Sequence, residues 1–284
     1  LRFREADLGP TAFTDITAAG GPAPVGDAGL EEAVRYCTAV IGKGSKSFSL
    51  ASRLFDEEAR RGAVMIYGWC RLADDEIDGA PSAAEALQRL ENLRRRTEGL
   101  YQSPRVPVSA GGDPHSDRIY LAFSSVLASR RIPSFYPLEL LEGMAMDVRG
   151  AQYATLAALK HYCYRVASTV GLMMCHVMGI REDSALRLAS DLGMAMQLTN
   201  IARDVREDFA MGRCYLPSDW LAEQHVDITR LMDASQREAV YRVVVRLLQE
   251  AERLYESGQQ GIVALPFRAA LAVQAALFIY REIG

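Results

Sequence analysis

The 284 residues carry 32 Lys and Arg against 36 Asp and Glu, a formal charge of −4, and 49% of the chain is hydrophobic. That length and apolar share can bury a sizeable core, while the mild negative charge excludes the basic footprint of a nucleic-acid binder. Five cysteines (Cys37, Cys70, Cys163, Cys175, Cys214) form no CxxC pair and sit in apolar runs; they read as reduced core residues of a cytoplasmic protein rather than disulfides or zinc ligands.

Leu1 to Gly29 is rich in Gly, Pro and Ala without periodicity and is expected to be a flexible leader outside the fold. No stretch reads as a signal peptide or as an uncharged run long enough to span a bilayer. A first helix is predicted over Leu30–Ile41, broken by Gly42 and Gly44. Ser45 then stands at an N-cap position, and Ser45, Lys46 and Ser47 offer hydroxyl, ammonium and N–H groups to a phosphate. An ordinary capped helix start is the plainer alternative. Phe48 and Ser52 lie one turn apart on that helix, so Ser52 is expected to face the same space further in.

Asp56 reads as the cap of the next helix, with Glu57 and Glu58 in its first turn and Gly79 and Pro81 closing it. This helix places Tyr67, Arg71, Asp74 and Asp78 at i, i+4, i+7 and i+11, on one face. Its flanks (Val64, Met65, Ile66, Trp69, Leu72, Ile77) are too apolar for a helix standing free in water. Ser82 begins another helix to about Tyr101, Ser103 to His115 reads as a Pro/Gly-rich loop, and helices are predicted over Asp117–Arg131 and Ser134–Met146.

Thr155 to Met178 is long and nearly all apolar, hence a central helix. Tyr153 and Tyr162 precede or open it and either face a cavity or pack with satisfied hydroxyls. The Pro-free run from Asp183 to Arg213 then puts Gln197, Asn200, Asp204 and Asp208 on one helical stripe. Backwards, that stripe passes through Gly193 and Ala189, small residues suited to a tightly packed or a concave wall. Short helices and turns are expected from Pro217 to Met232, a long amphipathic helix over Ser235–Ser257 and a last apolar helix over Leu265–Ile283. No strand alternation competes, so the expected fold class is all-α.

Two apolar helices thus each bring oxygen ligands to one face. Crowded carboxylates repel one another unless cations sit between them, and hard oxygen donors suit Mg²⁺ shared with substrate phosphates. Chemistry alone suggests a Mg²⁺–diphosphate site in a helical bundle; for either stripe by itself, a solvated acidic face is the alternative. Arg71 and Arg203 each neighbour an acidic motif. They either form intrahelical ion pairs worth a few tenths of a kcal/mol or make charge-assisted contacts to the diphosphate, and the second reading is favoured. His115, His161, His176 and His225 have no metal-ligand spacing and read as structural or surface residues.

Asp74-Asp75-Glu76-Ile77-Asp78, preceded by Tyr67 and Cys70-Arg71, resembles the first DxxxD motif of squalene/phytoene synthases. Gln197, Asn200, Arg203, Asp204 and Asp208 resemble the second motif of that family, QxxNxxRDxxxD. Ser45-Lys46-Ser47-Phe48, Tyr162-Cys163-Tyr164-Arg165-Val166-Ala167-Ser168-Thr169-Val170-Gly171 and Gly212-Arg213-Cys214-Tyr215-Leu216-Pro217 match in the same order. Within the family, Ala51 to Asp56 and Gly171 to Met174 look most like the bacterial phytoene synthases.

The resemblance implies a single-domain isoprenoid-synthase helical bundle with a central cavity over residues 30–284, and relatives continue beyond Gly284 through a further basic helical tail. It implies a Mg²⁺-dependent head-to-head condensation of two geranylgeranyl diphosphates, through a cyclopropyl diphosphate, to phytoene for carotenoid biosynthesis. Mn²⁺ would substitute and no NADPH would be needed; no dinucleotide fingerprint is present. The implied metal ligands are Asp74, Asp78, Asn200, Asp204 and Asp208, with Tyr162 and Arg71 catalytic. Implied substrate contacts are Ser45, Lys46, Ser47, Phe48, Ser52, Tyr67, Val166, Val170, Gly171, Gly193, Gln197, Asn200, Arg203, Tyr215 and Tyr280. Peripheral membrane contact and association with downstream carotenoid enzymes are also expected. The alternatives are a C30 synthase using farnesyl diphosphate, since tunnel depth sets chain length, and a non-catalytic assembly factor. Such a factor has no need of the four motif aspartates this chain carries.

Overall fold

The structure is a computed structural model that describes residues 27–44, 54–102 and 113–284. Residues 1–26 of the expected leader lie outside the described residues, as do Ser45, Lys46, Ser47, Phe48 and Ser52. Every regular element among the described residues is helical.

Helix α1 spans Asp27–Gly44, starting three residues before the expected Leu30 and running through Gly42. A glycine inside a helix costs only about 1 kcal/mol, and packing of α1 against two neighbouring helices outweighs that. Helix α2, Glu57–Asp78, begins as expected at Asp56, whose side chain accepts from the Ala59 N–H at 2.7 Å. It ends at Gly79, whose N–H reaches the Asp75 carbonyl at 3.0 Å. Helices α3 (Ala83–Gln102) and α4 (Pro114–Arg130) follow. The cap of α4 is Asp113, accepting from the N–H groups of His115 and Ser116, so that helix starts three residues earlier than the expected Asp117. Helix α5 is Phe135–Val148.

The expected continuous central helix is interrupted. It divides into α6 (Leu156–Cys163), a π-helical turn over Tyr164–Ser168, and α7 (Thr169–Val177). Thr169 Oγ1 donates back to the Arg165 carbonyl at 2.6 Å and Ser168 Oγ donates across to the Ser190 carbonyl at 2.6 Å. Hydroxyls that bond backbone carbonyls in this way locally compete with the regular ladder. Helix α8, Asp183–Ala210, carries the second acidic stripe, then come α9 (Ser218–Glu223), α10 (Arg237–Gly261) and α11 (Phe267–Ile283).

Two hydrophobic clusters hold these helices. One gathers Cys37, Ile66, Trp69, Phe123, Leu141 and Met173, with Trp69 stacked on Phe123 at 4.4 Å. The other gathers Leu159, Leu198, Val243, Leu247, Tyr255 and Leu277, mainly along the interface of α8 with α10. Val166, in the π turn, packs against both. Burying a large side chain such as these contributes roughly 1.5–3 kcal/mol, so the acidic stripes rest on well-anchored helices. All five cysteines are free thiols. Among the described residues no helix is long and apolar enough to cross a membrane.

Candidate active site

The stripe of α2 emerges at the protein surface. Asp74 and Asp78 are open to water at the surface, yet protein crowds around Asp74. Its carboxyl is pushed up to about 6, first by loss of water and then by the charge of Asp78, with Arg71 pulling the other way and Asp75 and Asp147 adding to the rise. Arg71 turns toward Asp75, with Nη2 at 2.5 Å. On α8, Asp208 is likewise pushed up to about 6, first by burial and then by Asp204, with Arg213 opposing and Asp147 contributing. Arg203 Nε donates to Asp204 at 2.6 Å.

Asp147, near the C-terminal end of α5, therefore lies within electrostatic reach of both stripes: Asp74 and Asp78 on α2 and Asp208 on α8. It is half-buried and accepts from Tyr162 Oη at 2.8 Å and from Tyr215 Oη at 2.9 Å. Removal from water raises its carboxyl, against the two tyrosine hydrogen bonds and the charge of Arg213, which lower it. The sequence reading missed Asp147. The available signal was an acidic residue in the last turn of an apolar helix, the wrong end for the helix dipole.

Asn200 Nδ2 donates to Gln197 Oε1 at 3.3 Å, which confirms that the two amides share one face. Asn200 Oδ1 is buried with no hydrogen-bond partner, a costly state for an amide oxygen. A cation would satisfy it. Among the described residues no three His, Cys, Asp or Glu side chains converge closely enough to form a metal cage by themselves. Carboxylate and amide oxygens such as those of the two stripes are hard donors of the kind Mg²⁺ takes, one or two carboxylates at a time with phosphate and water completing its shell. The donor set thus fits the ion.

The small residues of α8 form a tightly packed wall rather than a concave one. A Cβ on Gly193 would lie 2.7 Å from the Ser168 Cα, and one on Gly171 would meet the Ala189 carbonyl at 3.8 Å. Gly193 therefore faces the backbone of the π turn. Val166 and Val170 are half-buried against the first hydrophobic cluster, as is Tyr67. Tyr280, half-buried, lies close enough to Arg203 to influence it. Tyr153, Tyr162 and Tyr215 form one aromatic group, with Tyr162 and Tyr215 stacked at 5.2 Å; the Tyr153 hydroxyl is buried without a partner. A cavity of about 110 Å³, lined by Phe55, Arg130, Val177 and Pro266 among others, contains none of the candidate site residues. His176 is buried, and the four histidines join no metal-ligand group among the described residues.

Residues 41–284 match the family model for squalene/phytoene synthase. The 15-cis-phytoene synthase of Pantoea ananas is 41% identical over 259 residues, covering 88% of this chain and 81% of that one. The 15-cis-phytoene synthase of Enterobacter agglomerans is 43% identical over 249 residues, covering 85% and 81%. Among solved structures, a dehydrosqualene synthase crystallised with a ligand superposes with a TM-score of 0.78 at 31% identity, covering 89% of this chain and 85% of that one. A squalene synthase from Alicyclobacillus acidocaldarius gives 0.77 at 22% identity, covering 89% and 92%, a likeness of fold alone. The all-α architecture is thus the helical fold of isoprenoid synthases, and the chain belongs to the squalene/phytoene synthase family.

Proposed function

We propose that this chain is a phytoene synthase, a prenyltransferase that joins two geranylgeranyl diphosphates head to head through a cyclopropyl diphosphate. The observation that carries the reading is that Asp74 and Asp78 of α2 and Asp208 of α8 all lie within electrostatic reach of one carboxylate, Asp147. The comparisons support the C40 choice, because the two bacterial relatives named above are both 15-cis-phytoene synthases.

Asp74, Asp78, Asn200, Asp204 and Asp208 would hold Mg²⁺. When bound, the ion neutralises the leaving diphosphate and so eases ionisation of the allylic C–O bond. Arg71 and Arg203 supply further positive charge. Their present partners, Asp75 and Asp204, form ion pairs about half open to solvent, worth about 0–1 kcal/mol each. A charge-assisted hydrogen bond to a diphosphate oxygen is worth roughly 1.5–3 kcal/mol, so both arginines can exchange partner when substrate arrives. Gln197 stays beside Asn200 and orients its amide. Val166 and Val170 give the prenyl chains an apolar wall that keeps water from the cations.

The test is to incubate the chain with geranylgeranyl diphosphate or farnesyl diphosphate, each with Mg²⁺, and weigh the products. A C40 triene from the longer substrate is expected. A C30 product from farnesyl diphosphate alone would place the chain with the C30 synthases, and no product from either would favour the assembly-factor alternative.

A pH dependence follows. Asp74 and Asp208 have folded-state values of about 6 against an ordinary 3.8, so the fold favours their protonated forms. Without a divalent cation, their contribution to stability is lost as pH rises from about 4 through 6. Mg²⁺ binds the deprotonated forms and reverses that loss. Thermal unfolding with and without Mg²⁺ should show stabilisation at pH 7.5 that largely disappears at pH 5; equal shifts at the two pH values would refute the assignment.

A second expectation concerns location. The outer face of α11 exposes Phe267, Leu271 and Phe278 along one stripe, while Ala272 and Leu277 anchor its other face in the core. An exposed apolar stripe on an anchored helix suits shallow insertion into a bilayer, where an apolar C40 product would partition. The chain should float with liposomes at moderate salt, and Phe267→Ser with Phe278→Ser should abolish flotation without changing turnover of detergent-dispersed substrate.

A further inference from the structure

Asp147 is placed against the grain of its own helix. It is a half-buried carboxylate in the last turn of α5, where the helix dipole is unfavourable. It also sits within reach of the negative charges of Asp74, Asp78 and Asp208, with the charge of Arg213 opposing. A group that costs stability at every one of these counts points to a task other than folding.

Both carboxylate oxygens are occupied by tyrosine hydroxyls from different parts of the chain. Tyr162 of α6 donates to Oδ2 and Tyr215, from the segment after α8, donates to Oδ1. A phenol has one proton to give and two lone pairs with which to accept. With both protons committed to Asp147, neither tyrosine can donate elsewhere, and each oxygen is electron-rich because it bonds a carboxylate. The Tyr162 and Tyr215 rings stack at 5.2 Å and Tyr153 packs on both, which fixes the ring orientations.

We propose that Asp147 is a positioning residue for the condensation: it holds the hydroxyl protons of Tyr162 and Tyr215 away from the prenyl chains, so that the two phenols meet the carbocations as acceptors only. Lone pairs facing a cation stabilise it, whereas an O–H dipole turned the other way would raise its energy. The inference rests on the phytoene synthase reading and adds to it a fifth aspartate, outside both motifs.

The experiment compares wild type, Asp147→Asn, Tyr162→Phe and the double variant on geranylgeranyl diphosphate with Mg²⁺, scoring KM and the share of consumed substrate that leaves as C40 triene. Asn keeps the size of Asp but offers one acceptor and one donor, so one tyrosine must reverse its proton. KM is expected to stay within about threefold, while the triene share falls at least about tenfold, with the balance as cyclopropyl diphosphate or water-captured alcohols. The double variant should do no worse than the more damaging single one, the signature of residues acting as a unit. A folded Asp147→Asn enzyme with wild-type product distribution would overturn the inference alone. A wild type making no C40 product would overturn the activity and the inference together. Should Asp147→Asn not fold, Tyr162→Phe and Tyr215→Phe each remove one of the two protons from Asp147, and wild-type distributions from both would overturn the proposal.

Discussion

Asp78→Asn and Asp204→Asn are each expected to lower C40 formation by roughly 10²–10⁴-fold with the fold intact. Each substitution preserves shape and removes one charge. Asp78 is at the surface and Asp204 is part-exposed, so neither is needed to fill the core, and surface changes of this kind usually shift stability by no more than about 0.5 kcal/mol. Because Asp78 raises the carboxyl of Asp74, and Asp204 that of Asp208, each variant should also relieve its neighbour and slightly raise the melting temperature of the cation-free protein. Activity lost while stability holds or rises is a combination that a purely structural acidic face does not produce. Product mass analysis and thermal unfolding on the same preparations check both halves, and near-normal product formation with Mg²⁺ as the only divalent ion would defeat the assignment.

Gly193→Ala is expected to destabilise the protein, by up to about 2 kcal/mol, and to lower turnover more than that loss alone explains. A Cβ there would lie 2.7 Å from the Ser168 Cα and 2.9 Å from its N. These are backbone atoms, so no rotamer change makes room. Replacing a mid-helix glycine by alanine gains about 1 kcal/mol of helix propensity, while overpacking against a rigid wall costs about 1–3 kcal/mol, and with backbone as the obstacle the cost prevails. The displaced element is the π turn carrying Val166 and following Tyr162, so the disturbance reaches the proposed cavity wall. Gly99 in α3 is the control: a Cβ there meets nothing within 4 Å, and Gly99→Ala should stabilise by about 0.5–1 kcal/mol with unchanged activity. Urea unfolding of the two variants should therefore show midpoints moving in opposite directions; midpoints moving together would mean that the contact between α8 and the π turn is not as drawn.

The sequence by itself determined the helices, because hydrophobic periodicity, Asp56 as a cap and the Pro-free run of α8 are local signals that need no partner to be read. It also determined the stripes Tyr67–Arg71–Asp74–Asp78 and Gln197–Asn200–Asp204–Asp208, since spacing on one helix follows from 3.6 residues per turn. Helix ends moved by up to four residues, as where packing carried α1 back to Asp27, where the Asp113 cap started α4, and where α10 ran on to Gly261. Only the tertiary structure decided the rest. The π turn at Tyr164–Ser168 depends on a hydroxyl reaching Ser190 on another helix, and Gly193 acquires its meaning from Ser168 lying across from it. Asp147 joins the site through two tyrosines 15 and 68 residues away. A lone acidic residue in an apolar helix carries no periodic signal; its role comes from what folding places around it, and hydrogen bonds of that reach are not written in any local pattern.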